Sequence, residues 1–420
     1  MLQVLATSWA LLLGMCLLMV GNGLQGTLLG VRGAIEGFST FEMSVVMSAY
    51  FVGFLGGSQL APALIRRVGH VRVFAALCSL ISAVFVGYAL LPDWVAWALM
   101  RVLIGFCFSG VYVTAESWLN NASSNETRGK ALSLYMIVQM LGVVAAQGLM
   151  NLADPAGFVL FAIPSVLVSL AFTPILLSIT PAPMFEATRP MSFRRLFEVS
   201  PLGCVGMFLM GGVFAALFGM VSVWGTLAGL SVLEISLVVA AIFSGGVVLQ
   251  YPIGWLSDRM DRRRLIAIVA LVCALVVSMP LVLPFGFAGY LAVGFVLGGI
   301  SNPLYALLVA HTNDFLQRED MAAASGGLLF INGLGAISGP LVLGWLMERV
   351  GPDGFFLQIA VLTALVAAYA GWRMTRRAAL SPAETGSFAP VSPATSAVAM
   401  EAALETGASD DEGSGVAEAR

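Results

Sequence analysis

The most regular feature of the sequence is a succession of long apolar stretches separated by short polar segments. Twelve such stretches lie between residues 5 and 373, each close to the roughly 20 apolar residues that a helix needs to cross a bilayer. Lipid offers backbone amides no hydrogen-bond partner, so a spanning segment must be a helix or part of a closed barrel. Since no stretch alternates polar and apolar residues as a barrel strand does, we predict an all-α polytopic membrane protein. The predicted helices are 5–30, 43–65, 72–91, 94–118, 130–151, 157–178, 202–227, 234–256, 264–283, 288–311, 321–346 and 354–373.

Two polar segments divide this pattern. One is a longer loop, rich in Pro and Arg, between the sixth and seventh helices, and the other is the segment after the last helix, rich in Ala, Ser, Gly, Pro and acids. Segments of the second kind bury too little apolar surface to fold. We therefore predict an N-terminal six-helix bundle (1–178), a cytoplasmic linker (179–201), a second six-helix bundle (202–373) and a disordered cytoplasmic tail (374–420).

The basic residues predict the orientation. All but three of the 20 lysines and arginines fall in one alternate set of loops or in the C-terminal segment; the exceptions are Arg32, Arg101 and Arg349. Loops rich in Lys and Arg stay in the cytoplasm. Both termini are therefore predicted to be cytoplasmic.

Composition narrows the class of protein further. Hydrophobic residues make up 59% of the chain and charged residues 10%, against about 25% charged in a soluble domain. The five cysteines fall within predicted helices and form no Cys-x-x-Cys pair, so we expect neither a disulfide framework nor a metal site. The two histidines, His70 and His311, do not lie mid-membrane, which argues against a catalytic cluster. We predict no cofactor, no metal, no enzymatic activity and no nucleic-acid partner.

The chain also contains an internal repeat. A shift of 192 residues places helices one and two on helices seven and eight, and a shift of 193 places helices four and five on ten and eleven. Two parallel six-helix halves are an architecture that transporters use around a midplane site. A two-fold channel would need a continuous polar stripe, and these helices are too apolar for one. The matched pairs include Gly33 with Gly225, Gly37 with Gly229, Ser39 with Ser231, Glu42 with Glu234, Phe51 with Phe243, Gly53 with Gly245, Gly105 with Gly298, Tyr112 with Tyr305 and Gly142 with Gly335.

Several loop and helix motifs carry a family resemblance. The loop after the eighth helix reads GWLSDRMDRRR over residues 254–264 and closely resembles the G-x-L-x-D-R-x-G-R-R loop of the major facilitator superfamily, with Asp261 in place of the second glycine. The loop after the second helix, PALIRRVGHVR, keeps the basic residues and lacks the aspartate. Arg101 and Gly105 on the fourth helix are similar to the family's R-x-x-x-G motif. The runs AESWLN (115–120) and ETRGKA (126–131) look like a YcaD-like bacterial branch of mostly unassigned substrate.

The resemblance covers residues 1 to about 375. It implies the superfamily fold, with twelve helices in two six-helix repeats, and alternating-access transport of a small organic solute, secondary active or facilitative. It also implies a monomer in the lipid bilayer of the bacterial plasma (inner) membrane, with protons as a candidate coupling ion. Coupling stays open because helices one and four carry no mid-membrane carboxylate.

The loop motif implies a cytoplasmic gate. Helix N-termini favour acids, so Asp258 is expected to meet the start of helix five near Gly129, while the loop arginines pair with carboxylates such as Glu116. The alternative is that these charges only fix topology. The predicted gate residues are Glu116, Arg128, Gly254, Asp258, Arg259 and Arg262.

Arg101 is the most informative residue within a predicted span. A charge there is costly and usually faces a cavity, although Arg101 is near enough to the outer end of its helix to snorkel. The face of helix four that carries Arg101 and the matching face of helix ten, with Gly294 and Gly298, are expected to form the cavity walls. The predicted cavity residues are Asn22, Gln25, Arg101, Phe108, Tyr112, Gln139, Asn302, Tyr305 and Asn332.

Two other functions compete with solute transport. A multidrug or metabolite efflux antiporter is weakened because the family's Gly-Pro motif is absent from helix five, where Gly142 to Gly148 contains no proline. A polytopic membrane enzyme or sensor has no use for the two-fold repeat.

Overall fold

The computed structural model describes residues 2–123, 125–177 and 191–376, together with Gly386, Phe388 and Val391. Within these ranges twelve helices are long and apolar enough to cross a membrane, which confirms the predicted all-α polytopic fold. They are α1 (Leu2–Ile35), α2 (Thr40–Val68), α3 (His70–Leu90), α4 (Trp94–Ala122), α5 (Asn125–Leu149), α6 (Val159–Leu176), α7 (Pro201–Leu227), α8 (Val232–Ser257), α9 (Arg262–Val282), α10 (Phe287–Asn313), α11 (Arg318–Val350) and α12 (Gly354–Met374).

Two of these helices are irregular. Helix α6 is interrupted at Phe172, which separates the segment Val159–Ala171 from a short helical segment that begins at Thr173. Helix α7 contains a π-helical turn, Ala216–Met220, near its middle. Such turns widen the helix locally and are frequent at functional sites.

The helices extend beyond several predicted boundaries. Helix α1 continues to Ile35 rather than residue 30, and α2 begins at Thr40 rather than residue 43. Hydropathy marks only the part of a helix that lies in hydrocarbon, whereas the backbone hydrogen bonds continue into the polar interface. The difference is therefore confined to the helix ends.

The predicted linker and tail are described only in part. Residues 178–190 of the linker region lie outside the described residues, and the rest contains a short helix, Phe193–Val199. Ser192 caps this helix, because its hydroxyl accepts the Arg195 N–H at 3.4 Å. The tail predicted to be disordered (374–420) falls outside the described residues except for its start and Gly386, Phe388 and Val391.

The internal repeat appears in the caps of α2 and α8. The Ser39 hydroxyl accepts the Glu42 N–H at 3.2 Å, and the Glu42 carboxylate accepts the Ser39 N–H at 2.7 Å. Ser231 and Glu234 repeat this reciprocal capping box at 3.3 and 2.8 Å. A capping box satisfies two amides that the start of a helix would otherwise leave unpaired.

The repeat also appears in how the helices cross. A Cβ atom at Gly53 would overlap the carbonyl oxygen of Val102, and one at Gly245 would overlap that of Phe295. Gly53 of α2 therefore lets the backbone of α4 come close, and Gly245 of α8 does the same for α10. The two halves, α1–α6 and α7–α12, thus share this helix crossing.

The halves meet along α1 with α7, α2 with α11 and α5 with α8. We name the side where α1 begins and α12 ends the terminal face, and the other side the opposite face. Near the opposite face, the Phe41 N–H donates to Glu348 at 3.0 Å, and the Ser48 hydroxyl donates to the Ile337 carbonyl at 2.6 Å. These bonds join α2 to α11 and hold the halves together on that side.

Candidate functional site

A cavity of about 1020 Å³, a volume that includes space continuous with solvent, lies between the halves. Its walls come from α1, α2, α4 and α5 of the first half and from α7, α8 and α11 of the second. Most of the lining is apolar, and its aromatic residues are Tyr50, Phe51, Phe54, Tyr112, Phe214, Phe218 and Phe243. Its polar residues with side chains are Asn22, Thr27, Arg101, Gln147 and Asn332, besides the two tyrosines.

Arg101 is the one charged residue among the described residues that line this cavity. Its side chain is buried, with the guanidinium carbon 4.9 Å from the centre of the Tyr50 ring and Nη2 3.3 Å from the sulfur of Met47. Among the described residues, Nε has no hydrogen-bond partner and no carboxylate lies within ion-pair distance. A ring face offsets only part of the cost of burying a cation. The charge of Arg101 therefore remains available to a molecule in the cavity.

The amides of the lining are partly engaged with neighbouring helices. Asn22 donates to the Tyr112 hydroxyl at 3.3 Å, and the Thr27 hydroxyl donates to Gln147 at 2.9 Å. Asn332 donates to the Met207 carbonyl at 3.0 Å. These bonds fix the side-chain orientations and leave further lone pairs and protons for a ligand.

Four of the nine residues predicted for the cavity lie in its lining: Asn22, Arg101, Tyr112 and Asn332. The remaining five, which lie outside that lining in this structure, are Gln25, Phe108, Gln139, Asn302 and Tyr305. Phe108 packs against the ring of Tyr112 at 6.2 Å, and Tyr305 packs edge-on against Phe214 at 5.8 Å. Both therefore support residues that do line the cavity. A direct contact of these five with a solute stays a prediction.

No described residue of α10 lies in the cavity lining of this structure, so the expected role of its glycine-bearing face as a cavity wall stays a prediction. The backbone of α10 approaches α8 at Gly298, where a Cβ would overlap the Ile242 carbonyl, and Asn302 packs beside Gly246 of α8. This close approach turns the glycine-bearing face of α10 toward α8. The second-half walls come from α7, α8 and α11 instead.

Sequence reasoning missed most of the aromatic lining, including Tyr50 and Phe54 of α2 and Phe218 in the π turn of α7. One signal was present, because Phe51 and Phe243 are repeat partners and both line the cavity. An aromatic residue in an apolar helix is otherwise indistinguishable from core.

The loop between α8 and α9 contains the predicted gate residues. Arg262, which is 3% exposed, donates to Asp314 at 2.5 Å and to the Ser257 hydroxyl at 3.1 Å, and it lies 3.6 Å from Asp258. The guanidinium of Arg259 lies 4.1 Å from the centre of the Trp255 ring. Asp314 is thus the buried partner of Arg262. Burial raises the pKa of the Asp314 carboxyl, and the Arg262 charge opposes that shift.

Asp258 has a partner that the motif does not predict. Its carboxylate accepts the N–H of Phe388 at 2.8 Å, and the start of α5 is not among its contacts with the described residues. The side chain of Glu116 is buried in α4. Arg128, at the start of α5, is half-buried.

Asp261, which departs from the family pattern, has a local role. Its carboxylate accepts the Arg263 N–H at 2.9 Å and so caps the start of α9. Burial raises the pKa of this carboxyl, but the hydrogen bonds and charge of Arg263 outweigh burial and leave the pKa below its usual value.

Comparison with known proteins gives consistent results. A family model described as Major Facilitator Superfamily matches residues 11–236 and 203–406. An uncharacterized MFS-type transporter of Enterobacter sp. (strain 638) is 28% identical over 355 residues, which cover 83% of this chain and 91% of that protein. The uncharacterized MFS-type transporter YcaD of Escherichia fergusonii is 25% identical over 352 residues, with the same coverage. The predicted resemblance is therefore confirmed.

Solved structures give the same fold. A mutant of the nucleoside transporter NupG has a TM-score of 0.76 at 14% identity, over 87% of this chain and 99% of that chain. A bacterial homolog of the human lysosomal transporter Spinster, inward-facing and occupied, has a TM-score of 0.68 at 16% identity, over 88% and 97%. At these identities the likeness concerns the fold alone.

Proposed function

Because the chain belongs to the major facilitator superfamily, we propose that it carries a small organic solute across the bacterial inner membrane by alternating access between its two six-helix halves. The cavity between the halves supports this proposal, since its lining draws on both. The basic loops support a cytoplasmic terminal face. In that orientation the α2–α11 bonds near the opposite face lie on the outer side.

The lining supports a definite class of solute. Its aromatic rings offer flat apolar surfaces, and Arg101 offers a buried positive charge with no described carboxylate beside it. We propose a solute with an apolar or aromatic body and one anionic group. The position of Arg101 is the observation that carries this proposal.

A matched ligand screen tests the solute class. The thermal unfolding of the purified protein would be measured in the presence of aromatic carboxylic acids and, separately, of their neutral amides. We expect acids to raise the melting temperature and amides to leave it unchanged, because only the acids can pair with Arg101. Arg101→Ala should abolish the shift. Arg349→Ala is the control, because Arg349 lies over Trp345 and outside the cavity.

Flux then tests transport itself. Proteoliposomes that contain the protein should accumulate or release the acid that stabilises it most, and Arg101→Ala should stop that flux while the protein still inserts into the membrane. A pH gradient of either sign distinguishes proton coupling from facilitated diffusion. Equal stabilisation by acids and amides would refute the role of Arg101.

An efflux exchanger of apolar compounds is the second candidate. The predominantly aromatic lining favours it, because flat apolar surfaces accept many ring systems. Neutral and cationic aromatic compounds would then bind as well as acids, and their binding would survive Arg101→Ala.

A further inference from the structure

Part of the C-terminal tail lies against the second half at the terminal face. The amide of Phe388 donates to Asp258 at 2.8 Å, and the amide of Gly386 donates to Asp314 at 3.3 Å. The carbonyl oxygen of Gly386 accepts a hydrogen bond from Arg262. Two acids and an arginine thus satisfy three backbone groups of the tail.

Apolar contacts accompany these hydrogen bonds. The ring of Phe388 occupies the space beside Gly254, where a Cβ atom would come within 2.6 Å of the ring. Val391 is 3% exposed and belongs to the hydrophobic core. Phe388 is also the only aromatic residue in the sequence after residue 372. The one bulky ring of the tail is therefore the residue that packs at the loop motif.

The receiving site is organised without the tail. Arg262 is fixed by Asp314 at 2.5 Å and by the Ser257 hydroxyl at 3.1 Å, all within the second half. Its other Nη atom is directed to the tail carbonyl, and it also lies 3.6 Å from Asp258. Buried, fixed charges lose little entropy when they bind, so such a site is suited to recognising a peptide backbone.

We propose that Gly254, Asp258, Arg262 and Asp314 form a binding site for a peptide segment, and that its occupant is the chain's own tail around Phe388. The motif in which Asp258 lies predicts that this carboxylate meets the start of α5 when the terminal face closes. When the tail is bound, the Asp258 carboxylate already accepts the N–H of Phe388 and is not available to α5. The tail therefore disfavours closure by stabilising the state in which Asp258 and α5 are apart. This second step rests on the proposed alternating-access function, and the docking itself does not.

Labelling of a cysteine at position 391 tests the docking. Val391→Cys would be treated with a maleimide, and modification of the tail peptide would be followed by mass spectrometry, with the denatured protein as the reference rate. We expect labelling at least about tenfold slower in the folded protein. Asp258→Asn should accelerate it several-fold, because Asn carries no charge to hold the Phe388 amide.

Asp261→Asn is the matched control in the same loop, because Asp261 bonds to Arg263 and not to the described tail residues. It should leave the labelling rate unchanged. Labelling of position 391 at the denatured rate, or equal acceleration by Asp258→Asn and Asp261→Asn, would overturn the proposed tail site. Both measurements need no solute, so this failure would leave the proposed transport function untouched.

Two truncations test the effect on closure. One chain ends at residue 380 and lacks the docked residues, and the other ends at residue 395 and retains them. Spin labels at positions 130 and 264, both exposed at the terminal face, would report the distance between the halves once the partly exposed Cys16 is replaced by Ala. We expect the chain that ends at 380 to gain a shorter-distance population. Identical distance distributions would refute control of closure by the tail, whatever the transport assay gives.

Discussion

The carboxylate of Asp314 lies 2.5 Å from the guanidinium of Arg262, and the two side chains are 4% and 3% exposed. Removing one partner of a buried ion pair leaves the other charge unpaired and typically costs about 3–5 kcal/mol. We expect Asp314→Asn to lower the free energy of unfolding by this order, measured by thermal or denaturant unfolding in detergent.

Asp258→Asn is the control for this measurement. Asp258 is 40% exposed and 3.6 Å from the same arginine, so its contribution is screened by solvent and should be below about 1 kcal/mol. If both variants lower the free energy of unfolding equally, the buried pair of Arg262 and Asp314 contributes no more to stability than the exposed Asp258.

The glycine at the crossing of α2 and α4 gives a prediction on packing. Gly53→Ala would drive a methyl group into the Val102 carbonyl and should destabilise the protein by roughly 1–3 kcal/mol. Gly245→Ala should act similarly, because it repeats the contact against Phe295. Gly56→Ala on the same helix should be near neutral, since the nearest atom is a Phe106 ring carbon 3.9 Å away. Melting temperatures of the three variants would check this, and a large effect at Gly56 would contradict it.

Asp261 gives a prediction on pH. Its folded-state pKa is lowered, so its charge stabilises the fold above the ordinary pKa of Asp, about 3.9, and that stabilisation is lost as pH falls through the lower folded value. Asn is an equally good cap, so Asp261→Asn removes the charge while keeping the cap. The melting temperatures of wild type and variant should differ near neutral pH and converge below about pH 4. A difference that is constant from pH 3 to 7 would exclude the ionised carboxylate as its source.

Tyr50 gives a prediction on the cavity. Its ring lies 4.9 Å below the Arg101 guanidinium and fixes that charge at the cavity wall. Tyr50→Phe keeps the ring and should retain affinity for the best acid of the ligand screen. Tyr50→Ala removes it and should weaken binding by a factor that corresponds to about 1 kcal/mol. Titration calorimetry would distinguish the two, and equal losses would indicate that the Tyr50 hydroxyl, rather than its ring, is the important group.

The fold followed from the sequence because its signals are local. Spans of apolar residues fix each helix, and the matched Ser39–Glu42 and Ser231–Glu234 pairs form capping boxes within four residues of chain. The repeat pairs Gly53 with Gly245, and in the structure each glycine admits the backbone of a neighbouring helix. These features depend on residues close together in the sequence or on the register between the two halves of the internal repeat.

The cavity followed only in part. The sequence predicts that Arg101 lines the cavity because a charged residue within an apolar helix usually faces a cavity. It predicts the same for Tyr112, which lies on the same helical face as Arg101. Tyr50 and Phe218 look like ordinary core residues in sequence, and only the rotation of α2 and the π turn of α7 bring them to the cavity. Gly298 was assigned to a cavity wall, but the same lack of a side chain lets α8 approach it.

The sequence by itself determined the number of spans, the two-fold repeat, the charged loop and the family. Each of these depends on residues adjacent in the chain or on the fixed shift between the two repeats. Only the tertiary structure decided which faces line the cavity, that Asp314 is the partner of Arg262, and that Phe388 lies at Asp258. Asp314 is separated from Arg262 by 52 residues, and Phe388 is separated from Asp258 by 130. Hydropathy and local capping carry no information about such pairs, since the rotation and packing of whole helices set which side chains meet.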